Sequence, residues 1–292
     1  MNSNFVIMGL PASGKTTFLA ALWHLIEANE TDCCLVLDTY RGDLSYLNLI
    51  ADAWRTFQPV PRTSQVGDRN VTIQLRNRET NLICTAFFPD LAGETFDRQV
   101  EDRRCRTEFI EDVAAEDGIL FFISADVRED DLSITEFNTR IPSGKNIDST
   151  DRVEERSEIT PALLLEWEPK LLPTQVKIVQ LLSDLIRPPF ISRCRRLAIL
   201  ISAWDLTNGM NLPPQEWLTI SMPLVAQFLK ANGDFFKYQV YGVSAQGVSL
   251  ENDIAVDAAA ELTPSRRIQI ISPGGDGHDL TEPLVWLMSA DK

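Results

Sequence analysis

Residues 5–19, "FVIMGLPASGKTTFL", decide how the rest of the chain is to be read. A short apolar run ends at Gly9, a tight loop follows, and apolar residues then recur at helical spacing through "KTTFLAALWHLIEA" (15–28). Gly9, Gly14, Lys15 and Thr16 keep the spacing G-x-x-x-x-G-K-T, in the strand, loop, helix order that a phosphate cradle needs. The two glycines permit turns that aim successive main-chain N–H groups inward at an anion, and the helix adds its positive end. The expected phosphate contacts are Pro11, Ala12, Ser13, Gly14, Lys15, Thr16 and Thr17. Lys15 is expected to reach the β- and γ-phosphates, and the Thr16 hydroxyl to ligate magnesium. This motif predicts a nucleotide-binding site.

The composition sets the class. The 292 residues suffice for one large domain or two small ones, with 44% hydrophobic and 24% charged residues. No apolar run approaches the roughly 18 residues of a membrane span, and no leader pattern opens the chain, so no stable membrane insertion and a cytoplasmic location are expected. A formal charge of −15 argues against a nucleic-acid partner, which would need a broad basic face. Five scattered cysteines and two distant histidines form neither a disulfide framework nor a zinc pattern. Vicinal Cys33 and Cys34, in "CCLVLD", read as small core residues of a strand.

Along the chain, apolar strands alternate with helical segments. After "CCLVLDT" and the amphipathic "SYLNLIADAWRTF", two strands, "VTIQLRN" and "NLICTAFF", flank the turn "RETN". Residues 95–116 are polar and partly helical, and "ILFFISA" (119–125) reads as a strand buried on both faces. The acidic stretch at about 126–160 reads as a long inserted loop. Helical spacing returns at 175–186, "LAILISAWD" is another strand, "WLTISMPLVAQFLKANG" one helix, "FKYQVYGVSA" the last strand, and "LTEPLVWLMSA" a closing helix. This alternation predicts a three-layer α/β fold, a mainly parallel sheet with helices on both faces, as one domain over 1–292 with an inserted strand and helix at about 31–60.

A magnesium site needs a second anchor, and Asp90 in "FFPDLAGE" supplies a carboxylate at a strand end. Gly93 can offer its N–H to the γ-phosphate. "DLAGE" resembles the D-x-x-G of Ras-like and translation-factor-related GTPases. Ser202, Ala203, Trp204 and Asp205 fall where those proteins carry N-K-x-D, and Ser244, Ala245 and Gln246 where they carry S-A-K. The resemblance spans residues 5–246 and implies a P-loop NTPase fold with a Ras-like core, Mg2+, and GTP or GDP as ligand.

Departures from the pattern keep the base open. Only Asp205 is retained in the base-reading motif; its carboxylate can accept from guanine N1–H and the 2-amino group, which adenine does not present in that way. Trp204 stands where it can either stack on a base or pack in the core, and the Ala245 N–H can reach the guanine oxygen. Thr63, in "PVPRTSQVG", is the candidate to close over magnesium and the γ-phosphate. Glu94 occupies the position of the water-orienting glutamine, which implies slow intrinsic hydrolysis raised by a partner's arginine, with Arg98, Arg103 and Arg104 as candidates in cis. The catalytic set is therefore Lys15, Glu94 and Thr63, and the metal set Thr16, Asp90 and Thr63.

The inserted strand and helix and the tail "EPLVWLMS" also resemble a bacterial group of paired "double-GTPases" placed in conflict or defence systems. That resemblance implies a protein effector or a second GTPase as partner. Two other readings stay open: an ATP-dependent kinase or ATPase acting on a small molecule, and a nucleotide-binding regulatory module with little hydrolysis.

Overall fold

The apolar runs that alternate with helices form the parallel centre of one sheet. β4 (Ile83–Phe88), β1 (Asn2–Gly9), β5 (Gly118–Ser124), β6 (Arg195–Ser202) and β7 (Phe236–Ser244) lie in that order, each parallel to its neighbour. β3 (Val71–Asn77) and β2 (Leu35–Arg41) extend one edge antiparallel. β8 (Gln269–Ser272) and β9 (Gly275–Gly277) extend the other, giving nine strands among the described residues. The computed structural model describes residues 2–41, 44–61, 71–89, 94–126, 172–207 and 209–289.

The middle strands β1, β5 and β6 bury apolar residues on both sides because each side meets helices. In β1, Phe5 and Ile7 enter one core while Val6 and Met8 enter the other. The first core is closed by α1 (Lys15–Ala28), α2 (Leu44–Arg55) and the C-terminal α10 (Glu282–Met288), through residues such as Leu22, Ile50 and Leu284. The second is closed by α3 (Glu94–Asp102), α4 (Thr107–Ala114), α5 (Thr174–Asp184), α6 (Pro214–Ser221) and α7 (Pro223–Ala231). The result is the expected three-layer α/β arrangement of a P-loop protein. Its register matters for function: Gly9 pairs Phe122, Ser124 pairs Ser202, and Ser202 pairs Val243. The C-terminal ends of β1, β5, β6 and β7 therefore form one row, and the sequence motifs sit on it.

Three expectations change. The strand ending at Ser244 is not the last, because α8 (Asp253–Ala260) and α9 (Pro264–Arg267) lead to the short hairpin β8–β9. The helix expected across "WLTISMPLVAQFLKANG" is two, broken at Met222 (φ −128°, ψ 55°), since Pro223 disfavours helical geometry in the residue before it. β2 begins at Leu35, so Cys33 is buried but Cys34 is exposed, and only Cys33 acts as a small core residue. The segment at about 31–60 places β2 on the sheet edge beside β3 and packs α2 on α1. Most of the acidic stretch, 127–160, lies outside the described residues. No helix among the described residues is long and apolar enough to cross a membrane.

Candidate functional site

β1 ends at Gly9 and α1 begins at Lys15, so residues 10–14 make the turn between them. Gly14 has φ +86°, a conformation that glycine adopts without a Cβ penalty. Ala12 adopts the left-handed region as well, at φ +57°. The Ser13 N–H bonds the Leu10 carbonyl at 3.3 Å, closing the turn, and the Phe18 N–H bonds the Gly14 carbonyl at 2.9 Å, starting the helix. α1 has no side-chain N-cap and no acidic residue in its first turn. The positive end of the helix dipole at this turn favours an anion.

Lys15 is folded back across this loop and is only 3% exposed. Its ammonium donates to the carbonyls of Gly9 and Leu10, both at 2.8 Å, and to Ser13 Oγ at 3.3 Å. These bonds hold a positive charge in place against the loop, where a phosphate chain can be neutralised. Thr16 and Thr17 follow in the first turn of α1, both half-buried, and Thr17 lines the adjoining cleft.

That cleft, about 380 Å³, runs from the phosphate loop to the ends of β6 and β7. Ala12, Gly14, Ser202, Ala203, Asp205, Ser244, Ala245 and Gln246 all line it, so the structure brings the phosphate and base candidates to one opening. Phe18 and Phe122, edge to face at 5.0 Å, also line it. The Ser244 hydroxyl donates to Asp205 Oδ1 at 2.5 Å and accepts the Gly247 N–H at 3.2 Å. This holds one oxygen of the Asp205 carboxylate beside the cleft.

Of the two readings open for Trp204, the structure takes packing in the core. Its side chain is absent from the cleft wall and 6% exposed; the ring packs against Trp217 at 6.2 Å and fills the space over Gly242. The reason is local: Ala203 takes φ +52°, and the following turn (204–207) directs the indole into the second core. Leu206, half exposed, lines the cleft from that turn.

A second cavity of about 340 Å³ flanks the other side of the phosphate loop, bounded by Leu10–Ser13, Phe122–Ser124, Asp126 and the start of α5. Asp126 lines both openings. It was not singled out from the sequence, nor were Ser124, Gln58, Val60 and Leu250. For Ser124 and Asp126 a signal existed, since "ILFFISAD" ends a buried strand on the row that carries the motifs. Thr63, Asp90 and Gly93, with the side chain of Glu94, lie outside the described residues, although Glu94 opens α3. Arg98, Arg103 and Arg104 are exposed at the surface around the end of α3.

Comparison with known proteins adds the family. The sequence model described as Double-GTPase 1 matches residues 6–287. Among solved structures, one described as nucleolar GTP-binding protein 1 from Plasmodium falciparum is 14% identical, covering 89% of this chain and 92% of that chain, with a TM-score of 0.38. The Ski7 GTPase-like domain of S. cerevisiae, in a structure bound to GTP, is 13% identical, covering 85% of this chain and 44% of that chain, with a TM-score of 0.40. No curated protein matched the chain.

Proposed function

The chain belongs to the Double-GTPase 1 family, and from that premise we propose that it binds GTP and hydrolyses it as a molecular switch. One observation carries the reading: the Lys15 loop and the Asp205–Ser244 pair open onto the same cleft. The main-chain amides after Gly9 and the Lys15 ammonium grip the phosphates. Asp205 accepts the N1–H and 2-amino protons of guanine, while the Ala245 N–H meets the base oxygen.

The donor set at the phosphate end is all oxygen, which suits magnesium: Thr16 from α1, joined by Asp90 and Thr63. Held by these residues, the ion would supply charge neutralisation at the phosphates. Thr63, Gly93 and the segment 90–104 sense the γ-phosphate, ordering around it and releasing after hydrolysis. Glu94 orients the attacking water, and its own negative charge makes the intrinsic rate slow. A protein effector or a second GTPase then raises that rate, in a cytoplasmic signalling role of a bacterial conflict or defence system.

Phosphate release from GTP with Mg2+ and no added acceptor tests this reading. The expected result is slow release that Lys15→Ala abolishes. Turnover confined to ATP, and only with a small-molecule acceptor, would replace the switch by a kinase. Tight GTP binding without release would leave a regulatory module.

A further inference from the structure

The inserted helix α2 is bonded directly to the loop at the base end of the cleft. Trp54, in its last turn, is fully buried, and its indole N–H donates to the Ala245 carbonyl at 2.9 Å. The Trp54 carbonyl accepts in return from the Gln246 side-chain amide at 3.2 Å. Arg267 closes the arrangement from outside: its guanidinium lies 4.7 Å from the Trp54 ring and 4.1 Å from the Phe57 ring, and donates to the Arg55 carbonyl at 3.3 Å. The Arg267 backbone carbonyl presses on Gly247 so closely that a Cβ there would stand 2.2 Å from it. Beyond α2 the chain supplies Gln58 and Val60 to the wall of the same cleft.

These contacts act on groups that read a base. Ala245 lies between Ser244, which holds Asp205, and Gln246, which is held by Trp54. The Trp54–Ala245 bond is buried, so an acceptor that loses it has no water to replace the donor. The peptide after Ala245 is therefore pinned in one orientation, and the Ala245 N–H, which belongs to the preceding peptide, lies between this anchor and the Ser244–Asp205 bond.

We propose that Trp54 is a positioning residue for base recognition: through the Ala245 carbonyl it keeps the Ala245 amide and the Asp205 carboxylate in one frame, making α2 part of the apparatus that discriminates guanine from adenine. This rests on the guanine-nucleotide reading given above. Trp54 acts through the loop and touches no nucleotide itself.

The test compares wild type with Trp54→Phe, which keeps an aromatic ring and deletes the donor. GTP, ATP and inorganic tripolyphosphate are titrated against each, and a thermal melt monitors folding. The expected result is GTP affinity falling by up to about tenfold, since only the part of this buried bond that orders the loop for the base enters the affinity, with ATP and tripolyphosphate affinities unchanged, so that the GTP-to-ATP ratio narrows. An unchanged ratio overturns the proposal, as does an equal loss for all three ligands, which would make Trp54 only a core residue. Should Trp54→Phe not fold, hydrogen exchange at the wild-type Trp54 indole N–H carries the comparison: slower exchange with GTP than with ATP or tripolyphosphate supports the proposal, and equal exchange with all three overturns it. Wild-type protein that fails to bind GTP sinks the functional reading, whereas wild type that prefers GTP beside an insensitive Trp54→Phe sinks only the role of Trp54.

Discussion

Gly14 of the phosphate loop and Ser202 at the end of β6 are in contact: a Cβ on Gly14 would stand 2.7 Å from Ser202 Cβ. The phosphate end and the base end of the cleft thus brace each other directly, and only glycine leaves room for it. Gly14→Ala adds a methyl group at that contact and forces a left-handed φ on a residue with a Cβ, the latter alone costing about 1–2 kcal/mol. We expect a clear drop in melting temperature and at least a tenfold loss of nucleotide affinity (about 1.4 kcal/mol). Wild-type binding by this variant would mean that the loop is not held in the geometry described.

Ser244 offers a more selective probe. Its hydroxyl donates to Asp205 at 2.5 Å and receives the Gly247 N–H. Ser244→Ala removes one charge-assisted hydrogen bond, worth about 1.5–3 kcal/mol in general. GTP affinity should fall by tenfold or more while tripolyphosphate affinity stays, as read by competitive titration.

Gly242 tests the placement of Trp204. A Cβ at this position would lie 2.4 Å from the indole. Gly242→Val therefore has to displace a buried ring, and overpacking of this kind costs about 1–3 kcal/mol. Denaturant unfolding should show the loss. If the variant is as stable as wild type, Trp204 is not seated over Gly242, and its assignment to the core is wrong.

Away from the site, Glu116 is fully buried and pairs with Arg195 at 2.8 Å and with Arg193 at 3.0 Å. Burial holds its carboxyl above the usual range even though both arginines pull it down, and burial likewise holds Arg195 below its own range. Glu116→Ala leaves the Arg195 side chain, 1% exposed, without its counter-charge. Removing one partner of a buried pair costs about 3–5 kcal/mol, so the variant should unfold at much lower denaturant concentration, with the midpoint as the measure.

How much of this was legible in the sequence depends on the range of the contact that decides each feature. The helix read at 15–28 is α1, because glycine loop, period and end are all local signals. The strand pair around "RETN" is β3 and β4, with Asn77 Oδ1 accepting the Glu79 and Thr80 N–H groups in the turn. The hairpin β8–β9 escaped because strands of four and three residues, two of them glycines, carry no alternation to detect. For Trp204 the motif left stacking and packing both open, and the conformation of Ala203 turns it into the core; Gly242, a glycine inside a buried strand, is the sign of a close ring. The Trp54–Ala245 bond joins residues 191 apart, and no local pattern encodes it.

The most direct measurement of the central claim is the affinity of wild-type protein and of Asp205→Asn for GTP and ATP with Mg2+. Asp205 lines the cleft with its carboxylate fixed by Ser244, and the substitution replaces an acceptor by an amide. The account predicts that wild type binds GTP well above ATP and that Asp205→Asn loses most of this preference. Equal affinity of wild type for both nucleotides, or a preference that survives the substitution, would contradict it.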